Sequence, residues 1–166
     1  MMRTVSRRAF LAGSSALALG LSAPAIAGAP ILLVRGAIEG ADAAGNRRFD
    51  LEALQAMPQT AFKTATPWNK TPVTYSGVAV GTFLSSLKAK GSRVRLIALN
   101  DYAVVADIED LASNGAILAI AKDGAPLPIA DKGPIFVVFP FDRDSKLRSD
   151  SFYLYAVWQL CQIDVL

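Results

Sequence analysis

Arg93-Val94-Arg95-Leu96-Ile97-Ala98-Leu99-Asn100-Asp101-Tyr102-Ala103-Val104-Val105-Ala106-Asp107-Ile108 is the stretch on which the fold turns. Residues 93–99 and 102–108 are β-branched and apolar, and strands favour such residues. Between them, Asn100-Asp101 have short polar side chains that hydrogen-bond nearby backbone and favour a tight turn. The segment is therefore expected to form strand, turn, strand. Asp107 is placed to cap a short helical turn with Asp110 at its third position, closing at Asn114-Gly115.

Outward from this hairpin the pattern stays strand-rich. Downstream, residues 116–121 form a small apolar strand, Lys122-Asp123-Gly124 a turn, and Pro126-Leu127-Pro128 an extended piece. Residues 135–139 are the most hydrophobic strand, expected at the centre of a sheet and ended by Pro140. The charged loop 141–151 follows, then an aromatic and apolar segment, 152–165, with Trp158, Leu160, Ile163 and Val165 expected in the core. Upstream, Val80, Phe83, Leu84 and Leu87 recur at three- and four-residue steps, predicting a helix with one buried face. Lys88 and Lys90 suit its last turn and Gly91 its C′ position. Val73-Thr74-Tyr75 predicts a strand turning at Gly77, and Ala61 to Trp68 an extended Thr-rich piece. Asp50 is a good N-cap for a helix that stops near Pro58, with Phe49 positioned as a hydrophobic staple on Leu54. Residues 31–34 predict a first strand. Several strands with two ordinary helices, and no regular strand–helix alternation, point to an α+β fold with a mixed β-sheet core and flanking helices.

The first 27 residues are set apart from this domain. Ser6-Arg7-Arg8-Ala9-Phe10-Leu11 puts an arginine pair before an uncharged Ala-, Leu- and Gly-rich run that closes with Ala25-Ile26-Ala27. This is the pattern of a twin-arginine secretion signal cleaved near Ala27, which predicts a periplasmic protein. Membrane contact is expected only if the segment is retained. The chain carries 17 basic and 14 acidic residues, and Arg3, Arg7 and Arg8 lie in the signal, so residues 28–166 are formally neutral. That balance excludes a nucleic-acid binder. The 139-residue remainder is one domain's worth of chain. Absence of histidine excludes histidine-based acid–base chemistry and the usual zinc sites. The single cysteine, Cys161, forms no intramolecular disulfide, and no spacing calls for a metal.

Taken in order, several short motifs resemble the molybdopterin-binding domain of the sulfite oxidase family, in its small exported members. They are Thr66-Pro67-Trp68, Thr74-Tyr75-Ser76-Gly77-Val78, Ala98-Leu99-Asn100-Asp101-Tyr102, Gly124-Ala125-Pro126-Leu127-Pro128, Asp131-Lys132-Gly133-Pro134, Pro140-Phe141-Asp142 and Trp158-Gln159-Leu160. The resemblance runs from about Phe49 to Val165 and implies the sulfite-oxidase-type fold. It also implies a molybdopterin cofactor whose metal is held by a cysteine just before the equivalent of Trp68. Here Thr64 stands nearest that position, and a hydroxyl is a poor substitute for a soft thiolate. Phe136 stands where the resemblance would put an arginine.

The residues expected to face a cofactor or ligand are Thr64, Trp68, Asn100, Asp101, Tyr102, Lys132, Arg143 and Arg148; no catalytic residue is assigned. Trp68, flanked by Pro67 and Asn69, is placed to close one wall of a pocket. Lys132, Arg143 and Arg148 are suited to phosphate or carboxylate, the arginines through their planar fork. Two functions follow. One is a degenerate, non-catalytic domain that binds a small anionic or organic ligand or a periplasmic protein. The alternative is a molybdopterin-dependent oxidoreductase, or a subunit of one.

Overall fold

The computed structural model describes residues 28–166; the secretion-signal reading falls on residues outside this range. The chain enters through Leu32–Gly36 (β1), which pairs antiparallel with Asn46–Phe49 (β2). Asp50 then accepts the Ala53 N–H at 2.8 Å and starts a short helix, Leu51–Gln55 (α1), as its capping chemistry predicts. Gln59–Thr66 (β3) and Asn69–Ala79 (β4) form a long antiparallel hairpin that leads into Val80–Ser86 (α2). Val80, Phe83, Leu84 and Leu87 are buried, as their spacing requires.

The deciding hairpin is present as Arg93–Ala98 (β5) and Ala103–Asp107 (β6), and Ile108–Ser113 (α3) follows. Ile117–Lys122 (β7) turns back through Asp123 and Gly124, at φ +48° and +82°, into the two-residue strand Ala125–Pro126 (β8). Two consecutive left-handed residues match the strand twist, which is why Asp-Gly occurs there. Phe136–Val138 (β9), Asp150–Tyr155 (α4) and Leu160–Val165 (β10) complete the chain.

Among the described residues the strands form two five-stranded sheets. One has the order β2-β1-β10-β5-β6, with β1 and β10 parallel; the other runs β3-β4-β7-β8, with β9 also pairing with β7. Between them lies an apolar core in which Phe136, Val137 and Val138 are wholly buried. Burial of each such side chain contributes about 1.5–3 kcal/mol.

Several expectations are corrected. Gly77 makes no turn: it lies inside β4, where the register with β7 shifts, and a Cβ there would sit 1.9 Å from the Leu118 carbonyl oxygen. The glycine marks a close approach of two strands. The left-handed residue after α2 is Lys88, at φ +46°, and not Gly91. Asp107 precedes α3 without a side-chain capping bond. β9 is not central in its sheet. Its free edge is met by the chain before β10, since the Val137 N–H donates to the Val157 carbonyl and the Leu160 N–H to that of Ile135, both at 2.9 Å. These bonds tie the two sheets together. Trp158 is not core: it is 40% exposed, and the reason lies in the cleft it borders.

Candidate functional site

Trp68 stands at the tip of the β3–β4 hairpin. Thr66 pairs with Asn69 across the turn, the Asn69 N–H donates to Thr66 Oγ1 at 3.0 Å, and Pro67 fixes the backbone before the indole. Its ring meets Trp158 nearly perpendicularly, at 4.9 Å and 88°, and Tyr153 at 6.4 Å; behind it Phe136 lies at 6.3 Å. Such edge-to-face pairs add about 0.5–1.5 kcal/mol each beyond area burial.

Trp158 is held by its neighbour. Gln159 takes φ +52°, its N–H donates to the Lys132 carbonyl, its carbonyl accepts from Leu99 N–H, and Nε2 donates to the Ile129 carbonyl, all at 2.9 Å. Lys132 Nζ lies 5.3 Å from the centre of the Trp158 ring, and its other partner is Asp131 at 3.3 Å. Across the gap, the β5–β6 turn presents Asn100 and Tyr102. Asn100 Oδ1 accepts the Tyr102 N–H at 3.2 Å, and Asp101 makes the turn at φ +64°. The Tyr102 hydroxyl donates to the Leu154 carbonyl at 3.0 Å, linking β6 to α4. Burial pushes that phenol's pKa up, so it stays neutral.

Together these elements enclose a cleft of about 310 Å³, walled by Trp68, Tyr102, Tyr153, Val157 and Trp158, with Asn100 on its rim. This volume is at the lower end of small-molecule sites. Three expected residues, Trp68, Asn100 and Tyr102, thus meet at one place. Asp101 forms the turn between two of them without lining the cleft, and Lys132 supports Trp158 from outside the lining. Sequence reasoning missed Tyr153 and assigned Trp158 to the core. The available signal was the density of aromatic residues in 152–158, directly after a charged loop.

Thr64, Arg143 and Arg148 belong to a different network. Thr64 is fully buried; its Oγ1 donates to the Ala65 carbonyl at 3.0 Å and accepts the Asp142 N–H at 3.1 Å. Asp142 accepts the Ala65 N–H at 2.7 Å and Arg148 Nη2 at 2.6 Å, and Arg148 Nε also reaches the Phe141 carbonyl. Arg143 donates to the Asn114 carbonyl at 3.0 Å. These contacts fasten the charged loop to β3 and to the turn before β7.

The Ala65 N–H, and then Arg148, hold the Asp142 carboxyl below its ordinary value of 3.8. A carboxyl depressed by folding stabilises the native state above its unfolded pKa, and this is lost as pH falls through the folded value. Acid unfolding below about pH 4 is therefore expected to be shallower in Asp142→Asn than in the parent. Circular dichroism against pH checks this, and identical profiles would refute it.

No protein-family model and no curated protein matches the sequence. Among solved structures, the sulfane dehydrogenase SoxCD of Paracoccus pantotrophus superposes with a TM-score of 0.60 at 15% identity. The alignment covers 81% of this chain and 37% of that one. The fold is of the sulfite-oxidase molybdopterin-binding type. At this identity the likeness speaks for architecture alone, and the chain spans little more than a third of its neighbour's length.

The residues present do not fit a thiolate-bound metal on that architecture. Both hydrogen-bonding directions of Thr64 Oγ1 are already committed, inside the protein. Cys161 lies on β10, in a separate groove with Leu99 and Pro134; burial, and then the Asp101 charge, raise its pKa and keep it a thiol. Among the described residues, no group of three or more Cys, Asp or Glu side chains is gathered to hold a metal ion.

Proposed function

We propose that this chain is a periplasmic binding module, exported by the twin-arginine route, that uses the sulfite-oxidase-type fold without its redox centre and takes a small organic ligand in the aromatic cleft. The observation that carries the reading is the Trp68–Trp158 pair: two large, partly exposed indoles at right angles, braced from behind by Phe136 and by the Gln159 hydrogen bonds. Proteins do not ordinarily leave such rings open to water in one concave place, and a concave, mostly apolar cleft with a few polar groups is the usual form of a small-molecule site.

Of the ligands expected from sequence, an organic one fits better than an anion. Arg143 and Arg148 lie in the loop network with internal partners, and Lys132 is paired with Asp131, so none of the three lines the cleft. The alternative, a molybdopterin-dependent oxidoreductase or a subunit of one, has the fold in its favour and the committed Thr64 hydroxyl against it.

The chain contains two tryptophans, both in this cleft, so intrinsic fluorescence reports on it directly. Fused-ring compounds such as naphthalene or chromone are expected to quench it saturably. Trp68→Ala should weaken their binding about tenfold or more, as loss of an aromatic anchor does, with Trp158 still reporting. Absence of saturable quenching by any such compound would sink the proposal. So would stoichiometric molybdenum in protein purified from its exported fraction, an outcome that favours the enzyme.

A further inference from the structure

The outermost strand of a sheet exposes unpaired N–H and C=O groups, and proteins ordinarily blunt such edges with short strands, charge, proline or a cover. Among the described residues, every outer strand but one follows that rule. β2 is four residues long and carries Arg47 and Arg48; β8 is two residues, one of them Pro126. β6 is five residues, with α4 tied beside it by the Tyr102–Leu154 bond, and the free edge of β9 is met by the chain before β10. β3 is the exception. It runs eight residues, Gln59–Thr66, with no proline and a single charge, Lys63, and it pairs with β4 alone. Its register with β4 is unbroken from Gln59 to Thr64, and Gln59, Thr60, Ala61 and Lys63 are exposed. Both ends are fastened: Gln59 Nε2 donates to the Leu54 and Met57 carbonyls at 2.9 and 2.8 Å, and Thr64 and Ala65 are bonded to Asp142. The edge is therefore already in the shape that an added strand requires, so the ordering cost of pairing falls on the incoming chain.

Charge says what kind of strand it suits. Thr60, Ala61, Phe62 and Lys63 help to line a trough of about 450 Å³ that Asp142 and Arg143 also line. Asp142, the carboxylate of that lining, is already held by Arg148 and by the Ala65 N–H. Arg143 has the neutral Asn114 carbonyl as its partner, and neither it nor Lys63 meets a carboxylate within 4 Å among the described residues. Two cations without local counter-charges thus stand at a strand edge without a partner. We propose that β3 takes an extended, acidic segment of a partner protein as an added strand. Main-chain bonds to the edge supply the affinity and the segment's carboxylates, facing Lys63 and Arg143, supply the preference. The trough shares no residue with the lining of the aromatic cleft, so this proposal stands apart from the ligand reading.

Three fluorescein-labelled, end-capped peptides test it by anisotropy at low salt: Val-Glu-Val-Glu-Val-Glu-Val, its counterpart with lysine at each glutamate, and the acidic peptide with its backbone amides N-methylated. The acidic peptide is expected to bind about tenfold tighter than the basic one, since exposed charge pairs attract in one case and repel in the other. N-methylation should abolish binding, because it removes the donors that strand pairing needs. Lys63→Glu, at an exposed position, leaves the trough with one unpaired charge of each sign, and the acidic-to-basic preference should fall toward one. Failure of the acidic peptide to bind, equal binding of the acidic and basic peptides, or binding that survives N-methylation would each overturn the proposal. So would an unchanged preference in Lys63→Glu with circular dichroism showing the fold intact. Sedimentation tests the other occupant: a dimer that Ala61→Lys splits would give the edge to a second copy of this chain and refute an acidic partner.

Discussion

Truncation of Phe136 to alanine is expected to cost about 3–5 kcal/mol of stability, the range for deleting a buried phenylalanine. The ring is wholly inaccessible and meets Tyr75 at 5.5 Å and Trp68 at 6.3 Å, both edge to face. β9 is three residues long and pairs only with β7 within its sheet, so little surrounding backbone can collapse into the space. The loss should therefore fall toward the upper end of the range, and the melting temperature should drop by about 10 °C or more. Because Phe136 backs Trp68, the cleft should loosen too, and fluorescence titration of the still-folded fraction should show weaker ligand binding. Urea unfolding measures the first effect. A loss below about 1 kcal/mol would mean that the core repacks and that Phe136 does not brace the site.

The second large effect is expected at Gly77. A Cβ would stand 1.9 Å from the Leu118 carbonyl oxygen and 2.7 Å from the Ala119 Cα, and both obstacles are backbone. No rotamer change relieves such a collision; β4 and β7 must separate. Gly77→Ala should accordingly cost more than about 3 kcal/mol, among the severe class of single substitutions. Gly124 is the control. It sits at φ +82° with nothing within 4 Å of where an alanine methyl would stand, so Gly124→Ala meets conformational strain alone, about 1–2 kcal/mol. Comparable losses at the two positions would show that the strand approach is not what requires glycine at 77.

The fold is legible in the sequence where local chemistry is decisive. The 93–108 hairpin, the α2 face, the Asp50 cap and the Asp-Gly turn all follow from side-chain type and spacing, and the ordered motifs of the resemblance point to the right architecture. Two of the misreadings, at Gly77 and Gly91, share one cause. Positions 77 and 91 each carry a glycine that sequence associates with turns, yet both are glycine because the backbone of a segment distant in sequence lies against them: Leu118 in one case, Leu166 in the other. Such approaches join residues far apart in the chain and leave no local signature.

The site is legible in the same partial way. Trp68, Asn100 and Tyr102 stand out through turn chemistry and do line the cleft. Trp158 looks like a core residue in sequence because hydrophobicity is the same whether a ring faces other side chains or a ligand. The basic residues of the loop are the least readable. A guanidinium suits a phosphate and a backbone carbonyl alike, and Arg143 has its carbonyl 29 residues earlier.

The place of β10 has a consequence for how the domain is made. It is the last strand of the described chain, yet it lies in the middle of its sheet, between β1 and β5. Until it is synthesised, β1–β2 and β5–β6 are two separate ribbons, each with an open edge, and such isolated hairpins are marginal in water. Closure then needs pairings between residues more than a hundred positions apart, such as Val34 with Ile163, and contacts of this range are slow to form. Completion of this sheet therefore waits until β10 has been made, and a chain stopped before residue 160 would expose two unsatisfied strand edges in place of a finished sheet.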